Sequence, residues 1–130
     1  MIKKQYLALL ITAFLFTSCS EQQKSDKSIE QKLIGTWHKD LKSGSKVTHV
    51  VTKFTHDHRF ATYARVRGTN RKLYATGRWR VRFGILNEVI LKSNYAEPHT
   101  RTYDKILTIN YKQFVYKTES GEVFSYYRNR

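Results

Sequence analysis

Lys72-Leu73-Tyr74-Ala75-Thr76-Gly77-Arg78-Trp79-Arg80-Val81-Arg82-Phe83 decides the fold class. Leu73, Ala75, Gly77, Trp79, Val81 and Phe83 alternate with Lys72, Tyr74, Thr76, Arg78, Arg80 and Arg82. A period of two puts one set on a buried face and the other on a wet face, which is the signature of a strand. Wound as a helix, the same residues would mix the arginines into the apolar stripe.

The pattern repeats in both directions from there. Strands are expected at Val47–Phe54, Phe60–Arg67, Ile85–Lys92, Tyr103–Ile109, Phe114–Thr118 and Val123–Arg128, with the first beginning near Trp37. Turn-forming residues separate them, among them Ser43-Gly44-Ser45, Gly68-Thr69-Asn70 and Ser120-Gly121. Such spacing suits an antiparallel meander, and the single Pro98 falls in a connection. Without helices to cover them, about seven or eight short strands must bury their apolar face on themselves. Closure into an up-and-down barrel does this and removes exposed edges. The expected fold is therefore all-β, a single barrel preceded by a short helical turn.

The start of the chain reads differently. Lys3 and Lys4 precede an uncharged run from Tyr6 to Phe16, too short for the ~20 residues of a membrane span and fitted to a signal peptide. Thr17 and Ser18 then lead to Cys19, the only cysteine. One thiol makes no intramolecular disulfide and no cysteine-based zinc site. Phe16-Thr17-Ser18-Cys19 resembles the lipobox of bacterial lipoproteins, with Phe16 where leucine is commoner. That resemblance implies cleavage before Cys19 and lipid on its sulfur. With Ser20 next, it implies outer-membrane sorting, facing the periplasm, in a Gram-negative cell. The expected organisation is a signal peptide over 1–18, a lipidated cysteine and flexible tether over 19–28, and a barrel domain over 29–130. Ser20 to Lys27 contains no apolar residue, and Ser28 with Gln31 forms a capping-box pattern opening a helical turn to about Lys32.

Leu33-Ile34-Gly35-Thr36-Trp37 brings Gly-x-Trp to the first strand, and the last strand ends in Tyr126-Tyr127-Arg128. These residues resemble the lipocalin-like domains of small bacterial lipoproteins. The resemblance implies that Trp37 packs at the closed end of the barrel with Arg128 against it, both structural along with Gly35. A second lipocalin motif, Thr-Asp-Tyr, is not present; Thr102-Tyr103-Asp104 holds the same residues in another order.

The chain carries 24 Lys+Arg against 10 Asp+Glu, a net charge of +14, and so favours anionic partners. Arg78, Arg80 and Arg82 share one side of a strand. Arg65 and Arg67 alternate similarly on the strand before it, so pairing would gather five guanidinium groups into one anion-binding face. The alternative is a solvated face that keeps the domain soluble. Export, and the lack of any nucleic-acid motif, argue against nucleic acid. His56 and His58 flank Asp57 with His49 upstream, but no third ligand is placed and no metal site is expected. No cofactor motif and no catalytic motif occurs. The carboxylates Asp40, Asp57, Glu88, Glu97, Asp104, Glu119 and Glu122 are scattered, which points away from an enzyme. The inward aromatics expected are Phe54, Phe60, Trp79, Phe83, Tyr103 and Phe114 beside Trp37. They either fill a core or wall a pocket for a small hydrophobic or amphipathic ligand. Two functions remain open: a ligand-binding barrel, or an inhibitor- or immunity-type module whose basic face meets an acidic macromolecule or anionic lipid. An enclosed apolar cavity of about 300 Å³ or more favours the first, and a filled interior with a contiguous arginine surface favours the second.

Overall fold

In the computed structural model, which describes residues 21–128, eight antiparallel strands close into an up-and-down barrel in sequence order. They are β1 (Gly35–Ser43), β2 (Lys46–Phe54), β3 (Arg59–Val66), β4 (Lys72–Arg82), β5 (Ile85–Ser93), β6 (Thr100–Ile109), β7 (Gln113–Lys117) and β8 (Val123–Tyr127). A helix, α1 (residues 21–33), precedes them. The hairpin loops β1–β2, β3–β4, β5–β6 and β7–β8 lie at one end, and α1 packs at the other. Cys19 and the leader lie outside the described residues.

The inward face of β4 alternates as its sequence dictates: Ala75, Gly77, Trp79 and Val81 are buried, while Arg78, Arg80 and Arg82 are exposed. At Gly77, where the β4–β5 register shifts, a Cβ would stand 1.8 Å from the Val89 carbonyl oxygen. The strands can approach this closely only at glycine. Trp37, Phe54, Phe114 and Leu33 are the largest fully buried side chains. Trp37 meets Phe114 edge-on at 4.8 Å, and its indole N–H donates to the Leu33 carbonyl at 2.7 Å.

Three expectations are corrected. The segment read as a flexible tether to residue 28 is helical from 21, and the short turn is a full helix. Its inward side carries Gln22, Asp26, Ile29, Glu30 and Leu33, spaced for one helical face. Two of these are carboxylates that do the work of apolar residues. Asp26 accepts from the Phe83 and Gly84 N–H groups at 2.9 Å each, and Glu30 accepts from Val81 N–H at 3.4 Å and pairs with His58 at 2.6 Å. A hydrophobicity scan cannot see such docking.

Phe83, expected inward, is 76% exposed. It forms the β4–β5 turn with Gly84, both at positive φ (54° and 72°), so the period of two ends at Arg82. Tyr103 also points outward. On β6, which begins at Thr100, the inward positions are the polar Thr102 and Asp104 and then Ile106. An assignment led by the aromatic residue therefore takes the wrong face.

The seam that closes the barrel is slight: β1 and β8 share a single register pair, His38 with Tyr127. Arg128 reinforces it. Its guanidinium lies 4.1 Å from the Trp37 ring centroid and donates to the carbonyls of Lys32 (2.5 Å), Ile34 (2.9 Å) and Tyr111 (2.7 Å). Gly35 makes room for it, since a Cβ there would stand 2.0 Å from the guanidinium, and its φ of 129° also favours glycine. Arg128→Ala is expected to cost about 2–4 kcal/mol, as a cation–π contact and three charge-assisted hydrogen bonds are lost. Arg128→Lys should recover little, because an ammonium lacks the planar fork. Urea unfolding of the three proteins measures this, and a fully stable lysine variant would contradict it.

Candidate functional site

The barrel is not filled. A cavity of about 340 Å³ runs through its middle, above a floor that includes Phe54, Phe60 and Phe114. Val50, Ala75, Leu86 and Ile90 supply apolar wall, and the lining reaches Leu41, Thr48, Leu73 and the half-exposed Tyr95 toward the hairpin loops. Of the aromatic residues expected to wall a pocket, Phe54, Phe60 and Phe114 do so. Trp79 lies outside the cavity, against Phe54 at 5.3 Å and His58 at 5.2 Å. Phe83 and Tyr103 take no part.

One lysine and two carboxyl groups line the same cavity: Lys39 on β1, Glu88 on β5 and Asp104 on β6. The register puts Glu88 opposite Thr102 and Asp104 opposite Leu86, so the carboxylates are diagonal neighbours on one face. Across from them, the Lys39 ammonium donates to the Tyr116 hydroxyl. It sits 4.5 Å from the Tyr126 ring centroid and 5.1 Å from those of Tyr116 and Phe124. Tyr126 hydroxyl, Thr52 and Thr62 form a short chain of hydrogen bonds at 3.1 and 2.9 Å.

Burial and the neighbouring Asp104 raise the Glu88 carboxyl to about 7, against the pull of Lys39. Burial raises Asp104 to about 6, with Lys39 opposing and Glu119 adding to the rise. Burial lowers Lys39 to about 8, resisted by both carboxylates. Desolvation also lifts the Tyr116 and Tyr126 phenols, so both are neutral.

These residues escape a search for motifs because they lie far apart in the chain. Their parity was nonetheless readable. Lys39 stands between Trp37 and Leu41, and Glu88 between Leu86 and Ile90, each a charge in an inward slot. Of the carboxylates that look scattered in sequence, Glu88 and Asp104 are gathered by strand register.

The outer basic residues divide into two groups. Arg59 pairs with Arg78, and Arg65 with Lys72, six residues further along β4, or about 20 Å. Arg65 and Arg67 therefore flank the β3–β4 loop, apart from the rest. Arg78, Arg80 and Arg82 instead share an outer groove with Arg59 and Arg101, which sequence reasoning did not include. His49 pairs with Asp40 at 2.7 Å and contacts His38 at 3.4 Å, while His58 serves Glu30. Among the described residues, no group of three His, Cys, Asp or Glu side chains is arranged to hold a metal ion. Also among them, no helix is long and apolar enough to cross a membrane.

No protein-family model and no curated protein matches this chain. Its site is read from its own chemistry.

The raised carboxyl of Glu88 makes stability depend on pH with a definite sign. The folded barrel keeps this proton to about pH 7, whereas an unfolded glutamate releases it near 4.5. Folding therefore binds a proton in that window, and stability falls as pH rises through it. Lys39 acts in a separate window: the folded state loses its proton near 8 and the unfolded state near 10.5, so stability rises again there. Glu88→Gln is expected to be more stable than the parent at pH 8, by on the order of 2 kcal/mol, and close to it at pH 4. Chemical denaturation at the two values measures the difference; equal gains at both would contradict it.

Proposed function

We propose that this chain is a lipoprotein of the cell envelope, anchored through lipid on Cys19, whose barrel is a non-catalytic binding module for a small amphipathic molecule. The observation that carries the reading is the 340 Å³ cavity whose apolar walls also hold a carboxyl pair and, across from it, a lysine. Ligand sites typically measure ~300–1,000 Å³ and combine apolar lining with a few convergent polar groups. The charged groups are costly to bury, and a core built only for stability would be better served by apolar residues there.

A second reading concerns the outer wall and is compatible with the first. Arg59, Arg78, Arg80, Arg82 and Arg101 form a basic flank that suits an anionic lipid surface. α1 favours it: its first turn lies beside Phe83, Arg80 and Arg82. Cys19 is two residues upstream of Glu21, at most about 7 Å of extended chain. An anchored lipid would therefore bring this flank, and the exposed Phe83, to the bilayer. The hairpin-loop end of the cavity would face away.

Native mass spectrometry of the protein extracted from its own host in mild detergent tests the first reading. The expected mass is that of a chain starting at Cys19 plus its lipid, with a small molecule bound one to one. Ala64→Phe, which fills the cavity, should lose that molecule and keep the lipid. An unmodified thiol would remove the anchor, and a ligand retained by Ala64→Phe would remove the cavity site. For the flank, an unlipidated Cys19→Ser protein should be held on anionic but not neutral liposomes at low salt. Replacing Arg78, Arg80 and Arg101 by alanine should abolish that retention; equal retention on both liposomes would end this reading.

A further inference from the structure

With both carboxyl groups ionised, the charges inside the barrel do not balance. Lys39 supplies one cation against the two carboxyl groups of Glu88 and Asp104. Lys39 is moreover already engaged, by the Tyr116 hydroxyl and three aromatic rings. Neither carboxylate has a hydrogen bond or ion pair with another described residue. Among the described residues, no sealed side-chain oxygen is left unpaired either, so both carboxylates face the open space of the cavity.

Resting on the binding-module reading, we propose that the ligand carries a cationic, hydrogen-bond-donating head, as a primary alkylamine does, seated between Glu88 and Asp104 with its apolar body among Val50, Leu86 and Ile90. Once both carboxyls are ionised, a single positive charge completes the neutrality of the interior, and an ammonium offers three donors to acceptors that lack them. A fatty acid is disfavoured by the same count. Its carboxylate would meet two carboxyl groups that are both ionised above about pH 7, and among the described residues the only cation lining the cavity is already embraced. A bare metal ion is disfavoured as well, since among the described residues no third His, Cys, Asp or Glu ligand accompanies the pair.

Binding of such a head is linked to protons. The groups facing the pair are Lys39 from β1, Tyr95 from the β5–β6 loop, Tyr116 from β7 and Tyr126 from β8, with Glu119 acting on Asp104 at longer range. The tyrosines are neutral throughout the physiological range, and the cavity lining contains no histidine. A bound cation favours the ionised carboxylates, so amine binding near pH 6.5 should release protons, and binding at pH 8.5 should release fewer.

The test compares octylammonium, octanol and octanoate on the intact protein by titration calorimetry, in two buffers of different ionisation enthalpy. Octylammonium is expected to bind at least tenfold more tightly than octanol, and octanoate more weakly than octanol, with proton release at pH 6.5. In a Glu88→Gln/Asp104→Asn variant the amine should fall to the level of the alcohol, while octanol binding persists and shows that the barrel is intact. Octanol bound as tightly as the amine, or an amine preference that survives in the double variant, would overturn the head-group assignment and leave the binding module standing. No binding by any of the three would overturn both.

Discussion

A guanidinium holds this barrel shut. The β1–β8 seam has one register pair, and the chain resists fraying there because Arg128 binds three carbonyls from two segments while covering Trp37. Two of those carbonyls, of Lys32 and Ile34, belong to the junction between α1 and β1. The same side chain therefore fixes the last strand, the first strand and the helix that packs beneath them. Gly35 is the complementary constraint, since any side chain there would occupy the space the guanidinium needs. With the closed end secured this way, the middle of the barrel need not be filled with apolar side chains.

That freedom accounts for the cavity. The aromatic mass concentrates low in the barrel, in Trp37, Phe54, Trp79 and Phe114, with the Tyr116–Tyr126–Phe114 stack rising along one wall. Above it the lining thins to Val50, Ala64 and Ala75, and the charges begin. Partial burial of Lys39, Glu88 and Asp104 opposes folding near neutral pH, as the displaced carboxyls and ammonium register. Strain of this kind commonly marks functional positions. Anything that supplies the missing charge relieves it, which ties ligand chemistry to stability through the same three residues.

Much of this was legible in the chain. Alternation over Lys72–Arg82 gave strand and face, the run of seven or eight such strands without covering helices gave the barrel, and the resemblance carried by Gly-x-Trp and the terminal arginine implied the contact between Trp37 and Arg128. Errors fell where another force overrode periodicity. Phe83 was lost to a turn with two positive φ angles, Tyr103 to a strand whose inner face is polar, and α1 to carboxylates that dock on backbone N–H groups. The site itself was half visible. Its aromatic floor followed from hydrophobicity, but its charged residues lie on three strands, and only closure and register bring them to one space. The outer arginines show the converse: nearness in sequence suggested one face, and register divided it.

The most direct test of the central claim, that the barrel interior is the binding site, is to locate an amphiphile's chain by intermolecular nuclear Overhauser effects to assigned methyl groups. The account predicts contacts from an octylammonium chain to Val50, Leu86 and Ile90, which line the cavity. Contacts confined to Val51 and Val89, on the outer side of the same strands, would contradict it.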